Sequence, residues 1–271
     1  MTIMTRGLRR LAWSRGAAFD RHPGRDLPSS LTVLVAFHHP ARMRHLDGHV
    51  RNVLACPFVE RLVVLNDNPE VALAPRVACA DPRLIVIDQP RSHGCGHRWV
   101  VARRFRPDHL VVIDDDVLLR PSQIARLFRA LLAEPDRVHG FSGLVETGDG
   151  RLEAVGGATR SVDLVMETYA LTGAHLDRYA ALRDRLAITA ERRALIDGAL
   201  DFVLVSRAGD ERPMIHRIGR VLRCETFDTP GIAVHQTAGF APGLHRLRED
   251  LARLDAAPAA PRQQRSSGQH V

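Results

Sequence analysis

The chain has 271 residues, of which 45% are hydrophobic and 25% are charged, as expected for a soluble protein with one large α/β domain. Its net charge of +7 comes from arginine, because the sequence contains no lysine, and this excludes Schiff-base and P-loop chemistry, which both need a lysine amine. The arginines are spread along the chain and aromatic residues make up only 5%, so we expect no nucleic-acid partner.

The ends of the chain differ in composition from its middle. Residues 1–30 are rich in Arg, Gly and Pro and are predicted to form a flexible arm, in which residues 7–13 could contact a membrane surface. Residues 256–271 are predicted to form a disordered tail. We found no secretory signal, no membrane-spanning run and no C-x-x-C pair, so we expect a cytoplasmic protein, with any membrane contact at the inner face. The all-arginine usage is typical of a GC-rich, bacterial genome.

Apolar runs of strand length follow one another from residue 31. They are rich in Val, Ile and Leu on both faces and occupy residues 31–37, 62–65, 84–87 and 109–113. Helix-like segments separate them, the first at about residues 41–55. This alternation predicts a mostly parallel sheet covered by helices on both sides.

The second part of the chain is less regular. The pattern predicts a helix from Pro121 to about Ala133, a strand over residues 138–144, a Gly-rich segment at 146–157 and a strand over 167–171. A helix from about His175 and another that opens at Asp197 follow. We therefore expect a single domain over residues 31–255, with a nucleotide-binding half at about 31–120 and an acceptor half at about 121–255.

Polar residues follow two of the predicted strands. Asn66 and Asp67 come directly after the second strand, and Asp114, Asp115 and Asp116 come after the fourth. Ligands of parallel α/β sheets bind outside the carboxyl ends of the strands, so we expect both groups to line one crevice.

The acidic triplet is the strongest chemical signal. Three adjacent carboxylates at the end of a buried strand repel one another unless a cation neutralises them, and a hard divalent ion such as Mn²⁺ or Mg²⁺ suits them. Side-chain alternation in an extended segment would place Asp114 and Asp116 on one side. The alternative is a solvated acidic turn.

The triplet with its flanking residues resembles a known family. Residues 112–117, Pro121 and the segment Glu-Pro-Asp-Arg-Val-His-Gly-Phe at 134–141 are similar to the exostosin-type glycosyltransferases. Weaker similarity at residues 63–67, 171–174 and 196–202 extends the resemblance over about residues 31–254.

The resemblance implies both a fold and an activity. The fold would be α/β of the GT-A type, a mostly parallel sheet with a Rossmann-like N-terminal half flanked by helices. The activity would be the metal-dependent, retaining transfer of a hexosyl or N-acetylhexosaminyl group from a nucleotide sugar, such as a UDP-sugar, to a glycan, lipid or small acceptor.

The resemblance also implies roles for individual residues. The nucleotide sugar would contact Phe37, Asn66, Asp67, Arg98, Asp114, Asp115 and Gly173. The metal would be held by Asp116, with Asp114 and His235, and Asp197 at a helix start would be the catalytic carboxylate.

The sequence departs from the family in its first loop. Residues His38, His39 and Pro40 stand where the family has an Asn-Arg pair after an aromatic residue, so Arg42 or Arg44 would have to replace that arginine. Plainer roles also remain open for three of the predicted site residues: Arg98 as a surface arginine, Asp197 as a helix N-cap and His235 as an ordinary loop histidine.

Other functions were weighed against a transferase. The segment at residues 92–97 contains histidines and Cys95, but it lacks the second pair of ligands that a zinc site needs, and a glycine-rich loop along a diphosphate crevice fits better. A metal-dependent phosphohydrolase and a catalytically degenerate sugar-nucleotide-binding module are the alternatives to a transferase.

Overall fold

The computed structural model describes residue 20 and residues 24–256. Most of the predicted N-terminal arm, its membrane-contacting segment at residues 7–13 and the tail from residue 257 lie outside the described residues. Within the described part of the chain, no helix has the length and apolar character needed to cross a membrane.

The strands are numbered in chain order. They are β1 (Leu31–Phe37), β2 (Val59–Asn66), β3 (Leu84–Asp88), β4 (His109–Asp114), β5 (Val117–Leu118), β6 (His139–Gly140), β7 (Ser142–Glu146), β8 (Leu152–Gly156), β9 (Arg160–Ser161), β10 (Leu164–Met166), β11 (Thr168–Thr172), β12 (Met214–Ile215) and β13 (Leu222–Arg223). Within the described residues, eight of them form the central sheet, in the order β3-β2-β1-β4-β11-β6-β12-β9. Strands β3, β2, β1 and β4 are parallel to one another, and β11 pairs antiparallel with β4. The predicted α/β fold with a large, mainly parallel central sheet is confirmed.

The α-helices lie between and after these strands. They are α1 (Pro40–Met43), α2 (Leu46–Leu54), α3 (His97–Arg104), α4 (Pro121–Ala133), α5 (Gly173–Leu186), α6 (Ala190–Leu195), α7 (Asp201–Ser206) and α8 (Phe240–Ala256). A π-helical stretch (Ile196–Leu200) joins α6 to α7.

The central sheet separates two hydrophobic cores because successive strand side chains point to opposite faces. In β4, Leu110 and Val112 join one core, whereas Val111 and Ile113 join the other. All four side chains are at most 1% exposed, which explains why the parallel strands are apolar throughout.

The structure corrects three of the predicted elements. The predicted helix over residues 41–55 is two helices, α1 and α2. The predicted strand over residues 138–144 is interrupted at Phe141, and its parts β6 and β7 join different sheets. Asp197 does not open a helix but lies inside the π-helical stretch that continues α6.

Candidate active site

The carboxyl ends of the parallel strands meet at one edge of the central sheet. Ala36 in β1 pairs with Asp114 in β4, and Phe37 pairs with Asn66 in β2. The residues beyond these ends line a cavity of about 440 Å³, which includes His38, Asp67 and the acidic triplet. The structure thus brings Asp67 and the triplet to one crevice.

Asp114 is the last residue of β4 and pairs with Arg98 from the first turn of α3. The same guanidinium donates from Nε to Oδ2 of Asp201 at 2.9 Å, and the indole of Trp99 donates to that oxygen at 2.6 Å. The Arg98 guanidinium also lies 5.2 Å from the centroid of the Tyr169 ring. Arg98 is therefore a buried bridge between two carboxylates, and the alternative of a surface arginine is wrong.

Asp115 and Asp116 lie in the turn after β4 and share a different arginine. Arg42 reaches Oδ1 of Asp115 at 2.7 Å and Oδ2 of Asp116 at 2.9 Å. The triplet is therefore divided between Arg98 on one side and Arg42 on the other. The expectation that Asp114 and Asp116 act as alternate residues of an extended strand is wrong, because the strand ends at Asp114.

The unusual first loop explains how Arg42 reaches the triplet. His39 caps helix α1, because its Nδ1 accepts a hydrogen bond from the Ala41 amide at 3.2 Å. Pro40 occupies the first helical position, where its fixed backbone angle suits a helix start. This short helix places Arg42 over the triplet, whereas Arg44 pairs with Glu225.

The crevice holds more negative charge than its arginines neutralise. Burial, together with Asp114 and Asp115, raises the pKa of the Asp116 carboxyl despite the opposing effect of Arg42. Burial also raises the pKa of the Asp114 carboxyl against the effect of Arg98. Both shifts show carboxylates that a bound cation would stabilise.

Asp67 holds the glycine-rich loop in place. Its carboxylate accepts hydrogen bonds from the Ser92 hydroxyl at 2.7 Å and from the amides of His93 at 2.8 Å and Gly94 at 2.9 Å. Burial raises the pKa of Asp67, but these bonds and the nearby His38 outweigh it and lower the pKa below its ordinary value. Gly94 and Cys95 in this loop line the cavity.

Glu167 connects the triplet to the C-terminal part of the crevice. Its backbone carbonyl accepts a hydrogen bond from the Asp114 amide at 3.0 Å, and its side chain accepts from Ser142 and Arg223. Its φ of 66° lies in the left-handed region, which is unfavourable for a residue other than glycine. Such a backbone persists only where the surrounding contacts hold it, and here they lie at the crevice.

A divalent cation fits the chemistry of the triplet but would not be held by protein side chains alone. Within the described residues, no group of three or more His, Cys, Asp or Glu side chains is arranged to hold a metal. Mg²⁺-like ions are commonly bound by one or two carboxylates plus waters and substrate phosphates. His235 lines the cavity from a 3₁₀ turn (Val234–Gln236), with its Nε2 3.3 Å from Oδ1 of Asp228.

Two residues that the resemblance places at the nucleotide are used elsewhere. Asn66 is fully buried, and its amide donates to the Val71 carbonyl at 2.6 Å and to Asp88 at 2.7 Å. Gly173 follows β11, which runs antiparallel to β4, and its amide donates to the Asp108 carbonyl at the opposite end of the sheet. The structure therefore corrects both assignments: Asn66 supports a loop, and Gly173 lies away from the triplet.

Asp197 and Asp201 differ in where their carboxylates point. The Asp197 carboxylate accepts from Nε of Arg183 at 2.7 Å, and its backbone carbonyl accepts from the Gly96 amide at 2.8 Å. Asp201, four residues later, lines the cavity and is 1% exposed. The N-cap alternative for Asp197 is wrong, because it lies inside a continuous helical segment.

Only a weak signal in the sequence pointed to Asp201, which the predictions missed. Asp201 follows Asp197 at helical spacing, whereas Arg42 was one of the two arginines expected to serve the first loop. Helix α8 was not predicted, although Leu244, Leu247 and Leu251 repeat at helical spacing and are buried. Burial raises the pKa of the Cys95 thiol to about 12, which argues against a nucleophilic cysteine.

Comparison with known proteins agrees with the fold described above. The crystal structure of GalNAc-T7 with UDP, GalNAc and Mn²⁺ superposes with a TM-score of 0.55 at 10% identity, over 83% of this chain and 50% of that chain. The likeness shows the fold, that of a GT-A glycosyltransferase, and the chain spans half the length of that relative. Residues 31–187 match the model of the glycosyl transferase family 64 domain, which is more than half of the chain, so the chain belongs to this family. A search of curated proteins found no match.

Proposed function

We propose that this protein is a metal-dependent, exostosin-type glycosyltransferase that moves a sugar from a nucleoside diphosphate sugar to a hydroxyl acceptor. The observation that carries the proposal is the acidic triplet at the end of β4, where burial and neighbouring carboxylates raise the pKa of Asp116. A diphosphate would be repelled by this site unless a cation neutralised it. Mn²⁺ in GalNAc-T7 supports the same choice of ion.

Asp114 and Asp116 would hold the ion, with His235 as a further candidate ligand at the rim. Bound there, Mn²⁺ or Mg²⁺ would supply positive charge to the diphosphate leaving group as the donor bond breaks. The remaining coordination positions would belong to phosphate oxygens and water, which agrees with the small number of protein ligands.

The N-terminal half, about residues 31–120, is the proposed nucleotide-binding half. The glycine-rich loop that Asp67 fixes would lie along the diphosphate, and Phe37 would line the same pocket. Arg98 and Arg42 would orient Asp114 and Asp116 through the ion pairs that they already make. UDP is the proposed nucleotide, and the C-terminal half, about residues 121–255, would bind the acceptor.

The roles of Asp197 in the π-helical stretch and of Asp201 at the start of α7 need a direct test. The resemblance predicts Asp197 as the carboxylate that faces the reacting sugar, whereas Asp201 is the carboxylate of this segment that lines the cavity. Asp201 acts through Arg98 on Asp114, so we propose it as a positioning residue.

Calorimetric titration with UDP tests the proposal. We expect UDP to bind when Mn²⁺ is present and to lose its binding when a chelator removes the metal. A thermal-shift panel of nucleotide sugars with Mn²⁺ would then identify the donor. Equal UDP affinity with and without the chelator would contradict the metal assignment, and metal-dependent UDP binding without transfer over a broad panel would favour a binding module.

A further inference from the structure

The crevice has a second wall that the donor does not explain. This apolar wall is made of residues after Asp116 in the chain, including Leu144, Met166, Phe202, Phe227, Ile232 and Phe240. Phe202 and Phe240 stack at 6.1 Å with their rings nearly parallel. The wall therefore presents hydrocarbon side chains to the same cavity that the triplet enters.

Two residues of the apolar wall are adjacent in the chain to residues of the candidate active site. Met166 directly precedes Glu167, whose carbonyl accepts the Asp114 amide hydrogen bond. Phe202 directly follows Asp201, which holds Arg98. The wall is thus continuous with the proposed active site and is not a separate surface groove.

Two of the polar side chains on this wall, those of Glu167 and Asp201, already accept hydrogen bonds from protein groups. The Glu167 carboxylate accepts hydrogen bonds from Ser142 and from Arg223. The Asp201 carboxylate accepts from Arg98 and Trp99. Sugar hydroxyls placed against the wall would lose hydrogen bonds to water without replacing them, which is unfavourable.

The charge of the wall argues against an acidic acceptor. The sequence contains 38 arginines and no lysine. None of the described residues that line the cavity after Asp116 is an arginine. The guanidinium of Arg223 lies 4.9 Å from the Phe227 ring centroid but already pairs with Glu167, so a carboxylated or sulfated glycan would have to compete with Glu167 for it. Hydrocarbon, by contrast, gains free energy when it leaves water for such a surface.

We propose that the acceptor carries its hydroxyl on an apolar body, an alkyl aglycone that lies against this wall. This inference rests on the proposed transferase function and names the acceptor class of that same site. The hydroxyl would project toward Asp114 and Asp116, and the chain would extend along Met166 and Phe240.

A chain-length series tests the acceptor class. Calorimetry of the full chain with saturating UDP and Mn²⁺ would compare methyl, butyl and hexyl β-glucoside below micellar concentrations. We expect the hexyl compound to bind at least roughly tenfold more tightly than the methyl compound, because each buried methylene adds to affinity. Equal affinity across the series would overturn the inference and would leave the proposed function intact, since UDP binding is measured separately in the titration with and without a chelator.

Two variants test whether the gain in affinity with chain length comes from the apolar wall. Met166→Gln keeps the side-chain length but replaces apolar atoms with an amide, so the hexyl-to-methyl ratio should fall to about one while UDP affinity stays unchanged. Met214→Gln, at another half-buried methionine in β12, is the matched control and should keep the ratio. If Met166→Gln does not fold, Ile232→Gln in the loop gives the same comparison.

The remaining outcomes also test the inference. A ratio that survives in both wall variants would place the alkyl chain elsewhere and overturn the inference. A chain-length effect in a protein that never binds UDP would overturn both the transferase proposal and the acceptor role of the wall.

Discussion

The two walls of the crevice are built in different ways. The N-terminal wall consists of residues at and just after the ends of β1, β2 and β4, together with the glycine-rich loop and Arg98 of α3, and it is polar and rich in charge. The C-terminal wall comes from strand, helix and loop segments that are far apart in the chain, and it is mostly apolar. The proposed donor site is thus concentrated where parallel strands end, and the proposed acceptor surface depends on how the later segments pack.

A small set of contacts joins the two walls. Arg98 in the N-terminal half bonds Asp201 in the C-terminal half, and the Gly96 amide bonds the Asp197 carbonyl. We call these contacts the seam. Substitutions in the polar wall should change chemistry, whereas substitutions in the seam should change both stability and chemistry.

The largest effect is expected in the polar wall. Asp116→Asn should lower the transfer rate about a thousandfold, because it removes charge that the metal and diphosphate need. Folding stability should be unchanged or slightly raised, since the buried carboxylates repel one another. Turnover and a melting curve measure the two effects, and Asp184→Asn, at an exposed side chain, is the control. Full activity of Asp116→Asn at saturating metal would mean that the triplet does not serve the reaction.

A substitution in the seam should combine both kinds of effect. Asp201→Asn removes one of the two carboxylates that hold buried Arg98, and breaking such a pair costs about 4 kcal/mol of unfolding free energy. We also expect kcat to fall more than KM rises, because Arg98 would no longer hold Asp114 in place. Chemical denaturation and steady-state kinetics measure these changes.

Asp197→Asn is the matched comparison for Asp201→Asn. Its carboxylate pairs with Arg183 outside the cavity lining, so the geometry predicts a loss of only about 1 kcal/mol in stability. If Asp197 is the catalytic carboxylate, as the resemblance to exostosin-type enzymes predicts, the variant should also lose about a hundredfold in transfer rate. A large loss of turnover with normal UDP binding in Asp197→Asn alone would favour the resemblance over the geometry.

The same contrast explains what the sequence could predict. Strands β1 and β4 are continuous apolar runs, and the triplet follows β4 directly, so local pattern was enough to find them. The rule that ligands bind outside the carboxyl ends of parallel strands also predicted that Asp67 and the triplet share a crevice. Helix α4 was predicted from its Pro121 start with both ends correct.

The missed features depend on contacts between distant residues. The link from Asp201 to Arg98 spans more than a hundred positions, and no local pattern encodes it. The π-helical stretch that contains Asp197 packs against the glycine-rich loop, whereas the local sequence suggested a helix start. Phe227 and Phe240 line the cavity although they lie more than a hundred residues after the acidic triplet in the chain.

A glycine next to the seam should have a smaller but measurable effect. Gly94 has a φ of +84°, and a Cβ there would lie 2.4 Å from the Asp197 carbonyl oxygen. Gly94→Ala should therefore lower the unfolding free energy by about 3 kcal/mol, from backbone strain plus the clash. Gly157→Ala, where φ is +72° and nothing lies within 4 Å, should cost about 1 kcal/mol. Equal costs for the two variants would mean that the loop does not press against the Asp197 segment.

An effect on stability alone should appear as acid sensitivity in the C-terminal half. His175 is 1% exposed, and its Nδ1 accepts a hydrogen bond from the Thr172 amide at 3.1 Å at the start of α5. Burial lowers the pKa of His175 to about 4, so the unfolded chain binds a proton at a higher pH than the folded chain does. The stability that neutral His175 provides is complete above about pH 6.5 and is lost as the pH falls toward 4.

His175→Gln should remove this part of the acid sensitivity. Glutamine at the third helical position still accepts the amide hydrogen bond but does not titrate, so the helix start is kept. We expect the variant to lose about 2.5 kcal/mol less stability than the parent between pH 6.5 and pH 4. Denaturation at a series of pH values measures the difference. His245→Gln, on an exposed face of α8, is the control and should follow the parent. If His175→Gln and the parent lose stability in parallel, the proton is taken up elsewhere, and the capping bond at Thr172 does not require a neutral ring.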